Sequence, residues 1–318
     1  MTGSDAPAPR TGFSLRDSWL GRAVSSSRTG PTANERRTAS VMISPAVLLI
    51  VAVAFFPVAY SLYLSLHDAS VTEVGGWVGF DNYVSVFKDP KFGEALGNTA
   101  LFTVVSVTLE LCLGLAIALG LNQAFRGRGL VRTSVLMPWA FPVVVSALMW
   151  RLMLQDDVGI ISYVVHTLGL TDSPILSQRT SLLIAAILVD VWKTTPFMAL
   201  LLLAGLQTMP KDVTEAAKVD GAGALRRLFS ITLPLLKPTI LVALLFRTLE
   251  AWGVYDLFWV MTDRQLDSLS TYTYEGVRVS QLNFATGTAA AVFTFVAALA
   301  IALVFIKLLG TRTAEEGA

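Results

Sequence analysis

Five ionisable residues lie where an apolar chain can least accommodate them: Glu110, Asp190, Lys193, Arg247 and Glu250. A charge at the centre of a membrane helix costs about 2.5–3.5 kcal/mol on insertion scales, so each needs a partner or an aqueous cavity. Asp190 and Lys193 are three residues apart, as are Arg247 and Glu250, and that spacing puts each pair on one helix face. The local reading is two structural ion pairs, Asp190–Lys193 and Arg247–Glu250. Glu110 has no such neighbour and must look to another helix or to water. Just beyond Glu250, the residues Trp252, Tyr255, Asp256 and Trp259 fall within about a third of a helix circumference, with Arg247 and Glu250 on a different face. Flat rings suit the C–H faces of a sugar and a carboxylate accepts its hydroxyls, so the stripe fits a carbohydrate path. An aromatic packing stripe at a membrane interface is the alternative. Trp192 and Thr195 are candidates for the same cavity.

A second constellation occupies residues 210–237. Asp212-Val213-Thr214-Glu215 has capping-box spacing, and the helix formers Ala216, Ala217 and Lys218 follow. Gly221 and Gly223 offer positions where positive φ can end that helix. A second short helix is expected over Ala224 to Ile231, stopped by Pro234, with Pro238 in the first turn of the next element. The pattern predicts a compact helix–turn–helix, which by itself is either a docking surface or a well-capped connector.

The elements that must carry these groups are long and apolar. Of the 318 residues 54% are hydrophobic and only 15% charged, where soluble domains carry roughly 25% charged residues. No charge occurs from Val41 to Leu66 or from Val279 to Ile306, and about 20 apolar residues suffice to cross a bilayer core. Six spans are predicted, at about 43–66, 98–122, 134–154, 181–209, 238–261 and 286–306, giving an all-α, multi-pass membrane protein. Residues 1–42, rich in Ser, Thr, Pro, Gly and Arg, read as a disordered tail, and 311–318 as a second short tail. With the N-terminus inside, the cytoplasmic segments hold 16 Lys and Arg against 5 outside, so both termini are placed in the cytoplasm. A net charge of +1 argues against nucleic acid as a partner, and one cysteine with two histidines argues against a metal centre. The chain has no phosphate-binding Gly-x-x-x-x-Gly-Lys-Ser/Thr motif and no protease or hydrolase motif, so it is not expected to be an enzyme by itself.

Glu215-Ala216-Ala217, Asp220-Gly221-Ala222, Phe229, Ile231, Leu233-Pro234 and Pro238 together resemble the EAA loop of binding-protein-dependent ABC importer permeases. Gly79-Phe80-Asp81-Asn82-Tyr83, Asn98-Thr99, Arg126-Gly127-Arg128-Gly129 and Leu136-Met137-Pro138-Trp139 extend the likeness to carbohydrate permeases of the maltose and glycerol-phosphate kind. The run Val191-Trp192-Lys193-Thr194-Thr195-Pro196-Phe197-Met198 looks most like the trehalose-type member. The resemblance spans roughly residues 43–310. One departure is Asp263-Arg264-Gln265-Leu266-Asp267-Ser268, charged where the family often has a glycine-rich stretch.

The resemblance implies a permease of the cell (inner) membrane that imports a disaccharide, trehalose or maltose-like, with glycerol-3-phosphate or another small solute as the alternative. It implies that Glu215, Ala216, Ala217, Asp220, Gly221, Ile231, Leu233 and Pro234 couple to an ATPase. The implied partners are a homologous second permease, two ATP-binding subunits that hold ATP and Mg²⁺, and an extracytoplasmic sugar-binding protein or lipoprotein. This chain would bind no cofactor. An ion-coupled secondary transporter, with the buried acids as proton relays, is the reading from another class.

Overall fold

The computed structural model describes residues 33–169, 173–279 and 284–310. The chain divides into two units, Met1–Pro57 and Val58–Ala318. Within the first, α1 spans Ala33–Ile50 and a π-turn follows at Val51–Phe55. Helix thus occupies residues 33–42, which the composition assigned to a tail, and the rest of that segment lies outside the described residues, as does 311–318.

The second unit takes in most of α2 (Phe56–Ser65) and a short antiparallel hairpin of β1 (His67–Ala69) and β2 (Val74–Trp77). The hairpin is the exception to an otherwise helical protein among the described residues. Asn82 on α3 (Asp81–Lys88) ties it to the bundle by donating to the carbonyls of Ser65 and His67 at 2.8 and 2.9 Å. Helix α4 runs from Pro90 to Asn122, starting well before the predicted boundary at 98. Asp89 accepts from the Lys91 amide at 2.9 Å and Pro90 needs no donor partner in the first turn, so the start is set by local chemistry.

The predicted third span is two helices, α5 (Arg128–Ala140) and α6 (Val143–Leu154), bent by 90°. The cause is Pro142, which lacks an N–H and forces Phe141 into an extended conformation with ψ 141°. After α7 (Ile160–Thr167) comes α8 (Arg179–Thr208), the most enclosed of the long helices. Helix α9 covers Lys211–Val219 and α10 covers Ala224–Arg227. Then α10 continues through a π-turn at Leu228–Thr232 into α11 (Leu233–Trp252), so the proline stop expected at Pro234 does not occur. In the π-turn the Leu233 amide reaches back to the Leu228 carbonyl, and Pro234 takes the first-turn place expected for Pro238, which lies inside α11 instead.

The chain breaks at Gly253 and resumes as α12 (Asp256–Met261), so the predicted span 238–261 is not one helix. Helices α13 (Leu269–Tyr274) and α14 (Phe284–Gly310) complete the fold. Among the described residues five helices are long and apolar enough to cross a membrane, or six with the bent α5–α6 pair as one span.

Two glycines let the central helices approach closely. A Cβ on Gly114 of α4 would lie 2.7 Å from Met198 Cγ on α8, and one on Gly205 of α8 would lie 2.5 Å from Thr239 Oγ1 on α11. Around these seams Ala118, Leu121, Leu202, Leu203, Leu236 and Ala243 form one apolar cluster. In the charged stretch after α12 two residues take left-handed backbone, Asp263 and Arg264, with φ of 53° and 62°. Left-handed backbone of this kind is unfavourable for a side-chain-bearing residue, least so for Asp and Asn. Arg151 Nη2 holds Asp263 at 2.8 Å, and Arg264 lies over the Trp259 ring at 5.0 Å. Burial and the neighbouring Asp89 carboxylate, which accepts from its hydroxyl at 2.8 Å, push the Tyr272 phenol up from its ordinary value.

Candidate functional site

Helices α4, α8 and α11 meet at one guanidinium. Arg247 is 1% exposed, and its Nε and Nη2 donate to Glu110 at 2.6 and 2.9 Å. Its Nη2 also reaches Asp190 at 3.1 Å, and its Nη1 donates to Glu250 at 2.6 Å. Thr194 Oγ1 lies 2.7 Å from Glu110 Oε1 and 2.5 Å from the Asp190 carbonyl. The orphan acid Glu110 therefore finds its partner on another helix, as an unpaired charge at that depth requires.

The local pairing of Asp190 with Lys193 is overturned. Among the described residues no ion pair joins them; Asp190 turns to Arg247, and Lys193 Nζ points to the Trp139 carbonyl at 3.5 Å. A planar guanidinium with several fixed donors can serve three carboxylates at once, whereas an ammonium is a single point charge. Arg247 and Glu250 do pair, but as one edge of a larger cluster.

A cavity of about 190 Å³ opens beside the cluster, lined by Asp190, Lys193, Thr194, Arg247, Glu250, Tyr255 and Asp256 among others. This corrects the separation of faces. Because α11 ends at Trp252 and the chain turns at Gly253, helical angles cannot be carried from Arg247 to Asp256, and the fold brings both groups to one wall. Trp252 is absent from that wall: its Nε1 donates to the Thr294 carbonyl at 3.2 Å, and its ring packs with Val86, Phe92, Leu269, Ala289 and Ala290.

Tyr255 and Trp259 stack at 5.6 Å, and both meet Tyr274 edge-on at 5.2 and 5.1 Å. Tyr255 and Gly253 line both the narrow cavity and a wider one of about 520 Å³, which Thr273, Tyr274, Arg278 and Thr288 also line. Tyr274 and Arg278 escaped the sequence reading because they lie on a different segment, with no spacing relation to the stripe. Trp192 meets Trp150 edge-on at 5.3 Å, and the buried Thr195 hydroxyl has no partner among the described residues; neither lines the narrow cavity.

The segment 211–223 stands apart from this site. Helix α9 begins at Lys211 with Pro210 as its cap, so Asp212 lies within the first turn and the expected side-chain capping box is absent. At its end the Gly221 amide bonds to Lys218 O at 3.1 Å and the Ala222 amide to Ala217 O at 2.9 Å, a Schellman motif with Gly221 at φ 74°. Gly223 has φ −62° and caps α10 instead. Glu215, Ala216, Asp220 and Gly221 are exposed, Ala217 is buried, and Ile231 and Leu233 are half-buried with Pro234 exposed. Val219, 87% exposed, together with Leu225 and Phe229, leaves large apolar groups uncovered here.

The family described as binding-protein-dependent transport system inner membrane component matches residues 111–315. The trehalose transport system permease protein SugA of Mycobacterium tuberculosis is 41% identical over 288 residues, which cover 89% of this chain and 92% of that protein. The trehalose/maltose transport system permease protein MalF of Thermococcus litoralis is 38% identical, with coverage of 86% and 94%. Among solved structures, a bacterial alginate ABC transporter in complex with an alginate pentasaccharide-bound periplasmic protein superimposes with a TM-score of 0.71 at 25% identity. That match covers 84% of this chain and 92% of the other.

Proposed function

The chain belongs to the family of binding-protein-dependent transport system inner membrane components, and from that premise we propose that it is one permease subunit of an ATP-driven disaccharide importer. The observation that carries the reading is continuity. An exposed helix, α9, closed by a glycine turn, leads into the uninterrupted helix Ala224–Trp252, whose far end bears Arg247 and Glu250 on the cavity wall. A surface for an ATPase and a polar chamber are thus joined by one element. The excess of Lys and Arg in alternate connecting segments supports α9 on the cytoplasmic side.

The trehalose and maltose relatives support a disaccharide as cargo. At about 190 Å³ the narrow cavity falls below the roughly 300–1,000 Å³ of complete small-molecule sites, which fits a path shared with a homologous second permease. In this reading a loaded extracytoplasmic binding protein delivers the sugar and two ATP-hydrolysing subunits close on each other. The Glu215-Ala216-Ala217 helix passes that closure to the spans, and access alternates between the two sides. Asp256 and Tyr255 offer hydroxyl acceptors and a ring face to the passing sugar. Glu110 and Asp190, bound to Arg247, are committed to structure, which weighs against an ion-coupled carrier using them as relays.

Uptake of labelled trehalose and maltose by cells carrying the whole transporter tests this. Uptake is expected to need this chain and ATP and to survive a protonophore that leaves ATP intact. Uptake abolished by the protonophore but indifferent to ATP loss would overturn the reading.

A further inference from the structure

The charge balance around Arg247 says something about the cargo that similarity to sugar permeases does not, since a solved structural neighbour is involved in the import of alginate, an acidic polysaccharide. The charged groups on the narrow cavity are Asp190 and Lys193 from α8, Arg247 and Glu250 from α11, and Asp256 from α12; Glu110 from α4 stands directly behind Arg247. An anionic solute would need a free cation among them. All three guanidinium nitrogens of Arg247 are engaged by carboxylates, and the side chain is 1% exposed. Lys193 is buried and turned to the Trp139 carbonyl. Glu250 is the opposite case: one oxygen is held by Arg247 while its side chain is 61% exposed, and Asp256 is exposed as well. The wall therefore carries three carboxylates, two of them exposed, against two cations that are both buried.

We propose that this cavity is a charge filter, in which Glu250 and Asp256 accept hydroxyls of an uncharged sugar and turn anionic solutes away. With three carboxylates against two cations the wall is net negative, and low-dielectric helices behind it weaken the screening, so an approaching anion is repelled more strongly than by the same charges in water. Arg247 is the positioning residue: anchored by Glu110 and Asp190, it fixes one oxygen of Glu250, whose side chain lines the chamber. The filter is local, because Arg278 lines the wider cavity. The proposal rests on the sugar-permease reading and adds the cargo's charge to it.

The test uses the purified whole transporter without its binding protein. Binding of trehalose and of a disaccharide bearing one glucuronate ring is compared by saturation-transfer NMR, for the unaltered protein, Asp256→Asn, and Glu250→Gln with Asp256→Asn. The neutral sugar is expected to bind at least about tenfold more tightly than the acid, a difference that an equilibrium titration resolves readily. The gap should narrow in Asp256→Asn and close further in the double variant at unchanged yield of assembled transporter. Equal binding of the two sugars by the unaltered protein, or a gap that neither variant narrows, would overturn the filter. Binding of neither sugar while cells still take up trehalose would also remove the filter and leave the sugar permease standing. Loss of both binding and uptake would bring down the underlying reading as well.

Discussion

Helix α9 and the Arg247 cluster are built by opposite means. The turn that closes α9 is made of backbone bonds reaching at most five residues back, from Ala222 to Ala217. The cluster joins residues 57 and 137 positions apart on three helices, through side chains alone. One region is closed by its own backbone and leaves most of its side chains exposed. The other cannot exist until α4, α8 and α11 are packed, and once formed its Arg247–Glu110 pair is shut away from solvent. The comparison separates an element specified by local sequence from one specified by assembly, and substitutions should divide along the same line.

The largest effect is expected from Arg247→Leu, which leaves Glu110 and Asp190 buried without their cation. Removing one partner of a buried ion pair costs about 3–5 kcal/mol, and the readout is loss of monodisperse protein in detergent. Adding Glu110→Leu should restore part of the yield; full yield from Arg247→Leu alone would show that the cluster does not hold the three helices together. Glu215→Ala and Gly221→Asp should act the other way, lowering sugar uptake about 5- to 150-fold, the span of typical coupling energies, with no change in protein level. Uptake that falls only in step with abundance would erase the contrast between a docking element and a structural one.

Glu250→Gln lies between the extremes. Arg247 keeps Glu110 and Asp190, and a pair with a 61% exposed partner is worth at most about 1 kcal/mol, so thermal stability should barely move. A collapse like that of Arg247→Leu would make Glu250 part of the lock rather than of the wall. The smallest effect belongs to Asp263→Gly. Glycine relieves left-handed strain of about 1–2 kcal/mol, but the change removes the exposed bridge to Arg151, worth at most about 1 kcal/mol. The melting temperature should stay level or rise slightly, and a marked fall would show that the bridge governs this turn.

The long apolar helices were legible because membrane-crossing length and scarcity of charge are properties of contiguous residues. The positive φ at Gly221 was legible for the same reason, since a C-terminal glycine after a run of helix formers has a local meaning. The bend at Pro142 and the break at Gly253 were marked in the sequence, yet an apolar window runs through both without registering them. The misassigned partner of Asp190 shows where local reasoning stops. Spacing of three offers Lys193 as a neighbour, and no pattern along the chain reveals that α11 will bring a better donor set. Trp252 fails similarly: its place on a helical wheel was sound, but the wheel ends with the residue itself. The grouping of Tyr255 with Tyr274 depends on how α12 and α13 fold back and has no sequence signal.

The uninterrupted helix Ala224–Trp252 has a mechanical consequence. Its 29 residues, at 1.5 Å each, make a rod of about 43 Å, long enough to traverse the membrane. The irregularities of its hydrogen-bond ladder all lie toward the α10 end: the π-turn at Leu228–Thr232, then Pro234 and Pro238, which have no N–H to donate. A torque applied at Ala224 therefore meets its compliant joint early and travels the remaining length as rigid rotation. It is delivered at Gly253, where the helix stops and the cavity wall begins. Arg247, fastened to two neighbouring helices a little over one turn before that end, is placed as the pivot about which such a rod would tilt.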